Sequence, residues 1–148
     1  MVLGVAKPRA RPRFTTRSRA VTLLLDTHFL IWLVLRSKRL AEFPWIDRYR
    51  PWGVSPVSFL EIQFLAEIGR LSVRNPEFMT AVMEDARFAV DDIQLVTAVR
   101  HALRLDWTRE PFDRLLVAHS SARRVALCTL DRRIRTRHPI LPAELGRS

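Results

Sequence analysis

An apolar run that ends in a carboxylate is the feature that most constrains this chain. Residues 21–25 read VTLLL, without the alternation of a half-exposed strand, and Asp26 follows at once. A run of this kind is typical of a strand that is buried on both faces, as in a parallel α/β sheet. Ligands of such sheets gather at the carboxyl ends of strands, so Asp26 is a candidate functional residue. The alternative is that Asp26 only caps the helix that begins at Thr27.

The same arrangement recurs near the end of the chain. Residues 125–128 form a second buried apolar piece, which is followed by Thr129, Leu130 and Asp131. Shorter apolar pieces at 52–55 and 88–90 predict two further strands, and residues 140–141 are a candidate edge strand. Helical spacing and turn residues predict helices over 27–35, 55–69, 76–87, 91–105, from 111 and over 132–137, with an irregular short helix around Pro44. Strands that alternate with helices predict an α/β fold.

Glu61 is a charged residue within the predicted helix 55–69. The inner face of this helix is predicted from apolar residues at helical spacing, namely Val57, Leu60, Phe64, Leu65, Ile68 and Leu71. Because an unpaired buried charge costs several kcal/mol or shifts its pKa, a carboxylate within this stripe needs a partner. The alternative is a capping box from Ser58 to Glu61. Ser55 and Pro56 already supply a helix start, so the buried-acid interpretation is preferred.

Two other acidic positions each have a simple helical explanation. Asp113 lies in the first turn of the helix opened by Pro111, where an acid complements the helix dipole. Asp91 and Asp92 are adjacent, and adjacent residues on a helix do not face each other, so we expect them to cap the helix 91–105.

The net charge of +10 is concentrated at the two ends. Residues 1–20 contain six basic residues and no acid, and residues 123–148 contain seven Arg against two acids, which leaves −1 for residues 21–122. We expect a basic flexible arm over 1–20, a domain over 21–141 and a tail over 142–148. A targeting peptide and an over-extended start are the alternatives for the arm. The single Cys128 excludes an internal disulfide, and the apolar runs are too short to span a bilayer, so a cytoplasmic protein without membrane contact is expected.

Four segments taken together resemble one family. LLLDTHFLIWLVL, VSPVSFLEIQFLAEIGRL, REPFDRLLVAHS and LCTLDRRI, within about residues 21–141, are similar in order and spacing to PIN-domain proteins, specifically VapC-type ribonuclease toxins of bacterial toxin–antitoxin pairs. The resemblance implies a three-layer α/β/α sandwich around a parallel sheet, an RNA substrate, an antitoxin partner and a homodimer. It carries the family's metal-binding acids onto Asp26, Glu61, Asp113 and Asp131, with Thr129 as a supporting hydroxyl. Glu110 departs from the pattern, because many relatives have Asp before the proline.

Four carboxylates on one rim would repel each other unless a cation neutralised them. Oxygen ligands without His or Cys favour Mg²⁺ or Mn²⁺ over zinc. Such an ion can polarise a phosphate and activate the attacking water, so no protein nucleophile is needed. We expect Asp26 and Asp113 to be the principal direct ligands, with Glu61 and Asp131 binding directly or through water. Glu61 is also a candidate for orienting or deprotonating that water.

Basic residues near the acids are candidates for RNA contact. Arg114, Arg132, Arg133 and Arg135 lie closest to them in sequence, although ordinary solvated charge is the simpler explanation for any one of them. The basic arm is expected to add RNA affinity.

Two other functions compete with the nuclease hypothesis. A non-catalytic basic nucleic-acid-binding or regulatory protein would have no use for acids after buried strands. A phosphatase of the haloacid dehalogenase type would carry Asp-x-Asp-x-Thr after the first strand, but here the second Asp is missing.

Overall fold

The computed structural model describes residues 20–146 and contains four short strands separated by helices. The strands are β1 (Leu23–Leu25), β2 (Trp52–Val54), β3 (Phe88–Val90) and β4 (Ala126–Cys128). The helices are α1 (Thr27–Leu35), α2 (Pro56–Glu67), α3 (Asn75–Glu84), α4 (Leu95–Ala102), α5 (Pro111–Arg123) and α6 (Arg132–Arg137), and 3-10 turns span Lys38–Glu42 and Pro44–Tyr49. The predicted arm lies outside the described residues except for Ala20, as do the last two residues of the predicted tail.

All strand pairs in the sheet are parallel, and their order is β3-β2-β1-β4. The apolar run of β1 is therefore central, as its lack of alternation predicts. Leu25 pairs with Val54 on one side and with Cys128 on the other. Because every strand runs in the same direction, the residues that follow the strands meet at one edge of the sheet.

Two apolar clusters cover the two faces of the sheet. One contains Leu23, Leu25 and Trp52, and the other contains Leu24 and Leu127, as expected when neighbouring side chains of a strand point to opposite faces. Helical residues complete both clusters, including Phe29 in the first and Val117 in the second. This is the predicted α/β/α arrangement, and the fold class is confirmed.

The inward face of α2 differs from the prediction. Its buried residues are Ser58, Phe59 and Ile62, whereas three members of the predicted stripe, Leu60, Phe64 and Ile68, are exposed. The Ser58 hydroxyl lies 3.0 Å from the Thr27 hydroxyl, so a polar contact holds this side of α2 against α1. Apolar spacing alone therefore selected the wrong side of the helix.

Several element boundaries also differ. Helix α4 begins at Leu95 and not at Asp91, because the Asp91 side chain bonds to two residues of α5. Helix α2 ends at Glu67, ahead of Gly69, whose positive φ of 77° suits glycine. Residues 140–141 do not form a strand, although the Leu127 amide donates to the Ile140 carbonyl at 3.0 Å. In residues 20–146 no helix has the length and apolarity required to cross a membrane.

Gly53 in the middle of β2 is required by close packing. A Cβ atom at this position would lie 2.9 Å from the Leu23 carbonyl oxygen of β1 and would also overlap the Val21 side chain. A Cβ atom at Gly69 would meet no neighbour within 4 Å, and its substitution would cost only the strain of the positive φ.

We predict that Gly53→Ala lowers the free energy of unfolding by about 1–3 kcal/mol, because the added methyl overpacks the centre of the sheet. Urea denaturation followed by circular dichroism measures the change, and Gly69→Ala is the matched control, with an expected loss of about 1–2 kcal/mol from backbone strain alone. Unchanged stability of Gly53→Ala would contradict the close β1–β2 packing.

Candidate active site

Asp26 follows β1 at the carboxyl edge of the sheet. Its amide donates to the Cys128 carbonyl at 3.0 Å, which extends the β1–β4 pairing by one residue. Its carboxylate caps α1 by accepting from the Phe29 amide at 2.9 Å. Burial raises the pKa of Asp26, whereas hydrogen bonds from Phe29 and from the Thr129 side chain lower it. Asp26 is therefore a buried acid that also caps α1, and its functional role stays a prediction.

Thr129 and Asp131 follow β4 beside Asp26. The Thr129 hydroxyl accepts from the Asp131 amide at 3.0 Å and also bonds to the Asp26 carboxylate. Asp131 is exposed, caps α6 through the Ile134 amide at 2.9 Å, and raises the pKa of Asp26 by its charge. The loop after β4 thus places a hydroxyl and a carboxylate next to the end of β1, where the predicted supporting role of Thr129 requires them.

Glu61 projects from α2 toward the start of α1. The Thr27 hydroxyl donates to Glu61 Oε1 at 2.6 Å, so the half-buried carboxylate has a partner. Burial is the main cause of a raised pKa of Glu61, and the charges of Glu110 and Asp26 add to it. The capping-box alternative is wrong, because Ser55 is the N-cap and accepts from the Val57 amide at 3.2 Å.

The pKa of Asp113, in the first turn of α5, is affected by the charge of every other acid of this group. Burial raises its pKa to about 7, and the charges of the neighbouring acids contribute in the order Glu110, Asp131, Glu61 and Asp26. Acids that are up to 105 positions apart in the chain therefore lie close enough for their charges to act on the same carboxyl. A carboxyl with this pKa exchanges its proton near neutral pH, or is held ionised by a cation.

Glu110 is a fifth acid that was not predicted to take part in the site. It caps α5 by accepting from the Phe112 amide at 3.2 Å and from the Asp113 amide at 2.7 Å. It is exposed and raises the pKa of both Glu61 and Asp113. An acid immediately before a helix-opening proline is the sequence signal for Glu110, which the family resemblance treats only as a departure from its pattern.

The donor set fits a hard divalent cation, because it consists of carboxylate oxygens and contains no sulfur or imidazole ligand. Burial first, and then the charges of four neighbouring acids, raise the pKa of Asp113, and such a cation would neutralise those charges. Among residues 20–146, however, no three acidic, His or Cys side chains converge closely enough to bind one ion. The structure therefore defines the rim of acids and not a coordination sphere.

The four predicted RNA-contacting arginines fall into two pairs. Arg132 and Arg133 at the start of α6 are exposed. Arg114 donates to the Ala102 carbonyl at 2.7 Å, and Arg135 donates to the Leu145 carbonyl at 3.0 Å. The second pair thus has structural bonds, and RNA contact for all four stays a prediction.

A buried polar network at the far side of the same edge was missed. The two ring nitrogens of His119 lie 3.1 Å from Ser55 Oγ and 2.9 Å from Asp91 Oδ2. Arg123 donates twice to the Asp91 carboxylate, at 2.9 Å each. These partners lower the pKa of Asp91 to about 2 despite its burial. Asp91 is therefore a paired structural acid and not a helix cap, and its partners lie 28 and 32 positions away in the sequence.

The PIN domain family matches residues 23–137, which contain every acid of the site. The chain belongs to the PIN-domain family. This PIN-domain chain is similar to Ribonuclease VapC22 of Mycobacterium tuberculosis (strain ATCC 25618 / H37Rv), with 32% identity over 123 residues, 80% of this chain and 94% of that protein.

Two solved structures share the PIN-domain fold. One is VapBC2 from Rickettsia felis bound to a DNA fragment from its promoter, with a TM-score of 0.57 and 14% identity over 80% of this chain and 94% of that chain. The other is DNA-bound VapBC from Salmonella typhimurium, with a TM-score of 0.54 and 20% identity over 82% of this chain and 96% of that chain. At these identities the likeness supports the fold alone.

The raised pKa of Asp113 makes stability depend on pH. A carboxyl with a folded pKa near 7 and an unfolded pKa near 3.8 lowers stability as pH rises between these values, because the unfolded chain releases the proton first. We predict that Asp113→Asn in EDTA becomes more stable than wild type with rising pH, by on the order of 1–2 kcal/mol at pH 7.5 after solvent screening.

Chemical denaturation at pH 4.5, 6 and 7.5 measures this difference. Comparing the two proteins at each pH cancels the opposite effect of buried His138, whose pKa is lowered to about 4. A stability difference that does not grow with pH would remove Asp113 from the acid cluster.

Proposed function

We propose that this chain is a metal-dependent endoribonuclease that hydrolyses RNA phosphodiester bonds, and that it is the toxin of a VapBC-type toxin–antitoxin pair. The observation that carries the proposal is the burial of Asp113 among other acids at the carboxyl edge of a parallel sheet, where burial first and then their charges raise its pKa to about 7. The similarity to Ribonuclease VapC22 supports RNA as the substrate.

The acids supply ligands for Mg²⁺ or Mn²⁺. Asp26 and Asp113 would hold the ion directly, and Glu61 and Asp131 would complete the site directly or through water. When bound, such an ion would supply charge neutralisation, polarisation of the scissile phosphate and activation of the attacking water. Glu110 adds negative charge at the rim, and we propose that it strengthens ion binding.

The chain's own contacts position these acids. The Thr129 hydroxyl and the Phe29 amide hold the carboxylate of Asp26 at the end of β1. The Thr27 hydroxyl fixes Glu61 Oε1 and thereby orients the second oxygen of that carboxylate. We assign to this oxygen the role of holding the attacking water and accepting its proton, because the raised pKa of Glu61 makes it a better base than an ordinary glutamate.

Basic residues offset the repulsion between an acidic rim and a polyanion. Exposed Arg132 and Arg133 stand at the start of α6, directly after Asp131, and would contact phosphates of the bound strand. Residues 1–20 carry six basic residues and no acid, and we propose that they add affinity that weakens with salt.

The proposed partner is a small antitoxin protein that covers the acids, and the proposed assembly of the nuclease is a homodimer. The similarity to a VapC ribonuclease supports this type of partner, and both structural neighbours are VapBC proteins. Growth arrest on expression of the chain, relieved by co-expression of the product of a neighbouring antitoxin gene, is the expected cellular result.

Asp26→Asn should abolish cleavage, by at least about a hundredfold, while the fold is retained, because it removes a ligand charge at nearly constant volume. Gel analysis of a structured RNA pool with MgCl₂ or MnCl₂ measures the effect. Asp47→Asn is the matched control, since Asp47 is an exposed acid that pairs with Arg50 near the opposite end of β2. This variant should cleave RNA as fast as wild type.

Wild-type cleavage should stop in EDTA and return with excess Mg²⁺ or Mn²⁺. Undiminished cleavage in EDTA would contradict the metal mechanism, and an active Asp26→Asn protein would remove Asp26 from the site.

A further inference from the structure

An open cleft lies at the end of the sheet opposite to the acids. It has a volume of about 350 Å³ and is lined by residues from the end of α1, from the two 3-10 turns, from the start of β2 and from the position before β3. Trp52 opens β2, and Arg50 and Arg87 precede β2 and β3, so we call it the amino-edge cleft. None of the acids proposed to bind the cation lines it. Clefts of about 300–1,000 Å³ hold small organic ligands.

The floor of the amino-edge cleft is apolar and fixed. Leu33, Phe43 and Ile46 line it and are buried members of the apolar cluster that contains Trp52. Trp52 is itself fully buried, and its indole Nε1 donates to the Ile46 carbonyl at 2.8 Å. The core therefore holds the floor in place, and this side of the cleft suits the apolar face of an organic ligand.

The rim of the amino-edge cleft carries three arginines, Arg36, Arg50 and Arg87. The guanidinium carbons of Arg50 and Arg87 lie 5.0 Å and 5.8 Å from the centroid of the Trp52 ring, so both cations are held against one fixed aromatic ring. Arg36 is exposed and follows α1, whose C-terminal end favours a cation. Three guanidinium groups thus share one cleft.

The acids near this rim leave positive charge uncompensated. Arg50 bonds to Asp47 at 3.0 Å in a pair whose side chains are 46% and 66% exposed, and such exposed pairs contribute little to stability. Arg87 directs Nε and Nη2 at Asp85, which leaves its Nη1 for another acceptor. Within residues 20–146 the Arg36 side chain has no hydrogen-bond or ion-pair partner. Two acids therefore face three arginines, and each arginine has a donor that an anion can use.

A phosphate monoester fits this combination better than a carboxylate does. It carries about 1.5 to 2 negative charges at pH 7 and three terminal oxygens, whereas a carboxylate has one charge and two oxygens. The planar fork of a guanidinium group binds such oxygens in pairs. An anionic head on the arginines and a flat organic part on the floor together describe a nucleotide.

We propose that the amino-edge cleft binds a phosphate monoester the size of a nucleoside monophosphate. Its phosphate contacts Arg36, Arg50 and Arg87, and its nucleoside packs on the apolar floor. A free mononucleotide and the terminal phosphate of an RNA strand present this same chemistry. The site is separate from the acids, so it does not depend on the proposed nuclease function.

Calorimetric titration of the full chain with adenosine monophosphate (AMP) tests the site, in EDTA so that no cation links the ligand to the acids. Wild type should bind AMP, and adenosine should bind at least about tenfold more weakly, because it lacks the phosphate and its charge-assisted hydrogen bonds. Arg36→Gln should weaken AMP binding by about tenfold, since it removes one guanidinium group. If an RNA end is the source of the phosphate, the same RNA binds more tightly when it ends in a phosphate than when it ends in a hydroxyl.

Arg124→Gln is the matched control. Arg124 follows α5 as Arg36 follows α1, both residues are exposed C-caps, and each has a φ of 54°. Arg124 does not line the cleft, so Arg124→Gln should bind AMP as wild type does although it removes the same charge. Thermal unfolding of the two variants without ligand identifies any loss of structure.

Amide NMR shifts of the wild-type chain on addition of AMP locate the site without any variant. The largest changes are expected at Ser37, Leu40 and Arg87, which line the cleft. Changes centred on Asp26 and Asp113 would instead assign AMP to the acids and contradict the amino-edge site.

Other results would also overturn the proposal. Wild type that binds neither AMP nor the phosphate-terminated RNA has no such site, and adenosine that binds as tightly as AMP removes the phosphate from it. Equal AMP binding by Arg36→Gln and Arg124→Gln removes the arginines, and loss of antitoxin binding in Arg36→Gln would then assign the rim to a protein partner. RNA that depends on Arg36 equally with either end, while AMP does not bind, would assign the rim to internal phosphates.

Discussion

The parallel pairing of β1 with β4 is the constraint on which the site depends. It brings residues 23–25 beside residues 126–128 in register, and the Asp26 amide extends the pairing to the Cys128 carbonyl. Asp26 and Thr129 consequently leave the sheet side by side. Both residues are buried, as are Leu23–Leu25, Leu127 and Cys128 of the strands that precede them. Helices α2 and α5 carry Glu61 and Asp113 to the same edge of the sheet.

Acids at this edge fall into two electrostatic classes. Asp91 has Arg123 and His119 as partners, and its pKa falls to about 2. Among residues 20–146, Asp113 has carboxylates and no basic partner beside it, and burial together with their charges raises its pKa to about 7. Both carboxyls are partly removed from water, so the charge of the neighbouring groups, and not burial alone, decides whether the pKa falls or rises. A paired acid stabilises the fold, whereas an acid surrounded by acids costs stability until a cation or a proton neutralises it.

Much of the fold could be predicted from the sequence, because its strong local signals agree with the structure. The uninterrupted run before Asp26 predicted a central parallel strand, and Ser55-Pro56 predicted the start of α2. The inner face of α2 was predicted wrongly, since Leu60 and Phe64 have the apolar spacing of a core stripe while Ser58 makes the inward contact. Asp91 was assigned to a cap because its partners, His119 and Arg123, lie about 30 positions away. Such long-range polar contacts leave no periodic trace in a sequence.

Asp26 and Asp113 are proposed to belong to one cation site. Titration of the metal-free protein with Mn²⁺, followed by its free energy of unfolding, tests this most directly, because an ion that binds only the folded state stabilises it. Wild type is expected to gain stability with Mn²⁺, and to gain more at pH 7.5 than at pH 5, because protons compete for the carboxylates. Asp26→Asn and Asp113→Asn should each lose this gain. Wild type that does not respond to Mn²⁺, or variants that respond as wild type does, would contradict a shared cation site at Asp26 and Asp113.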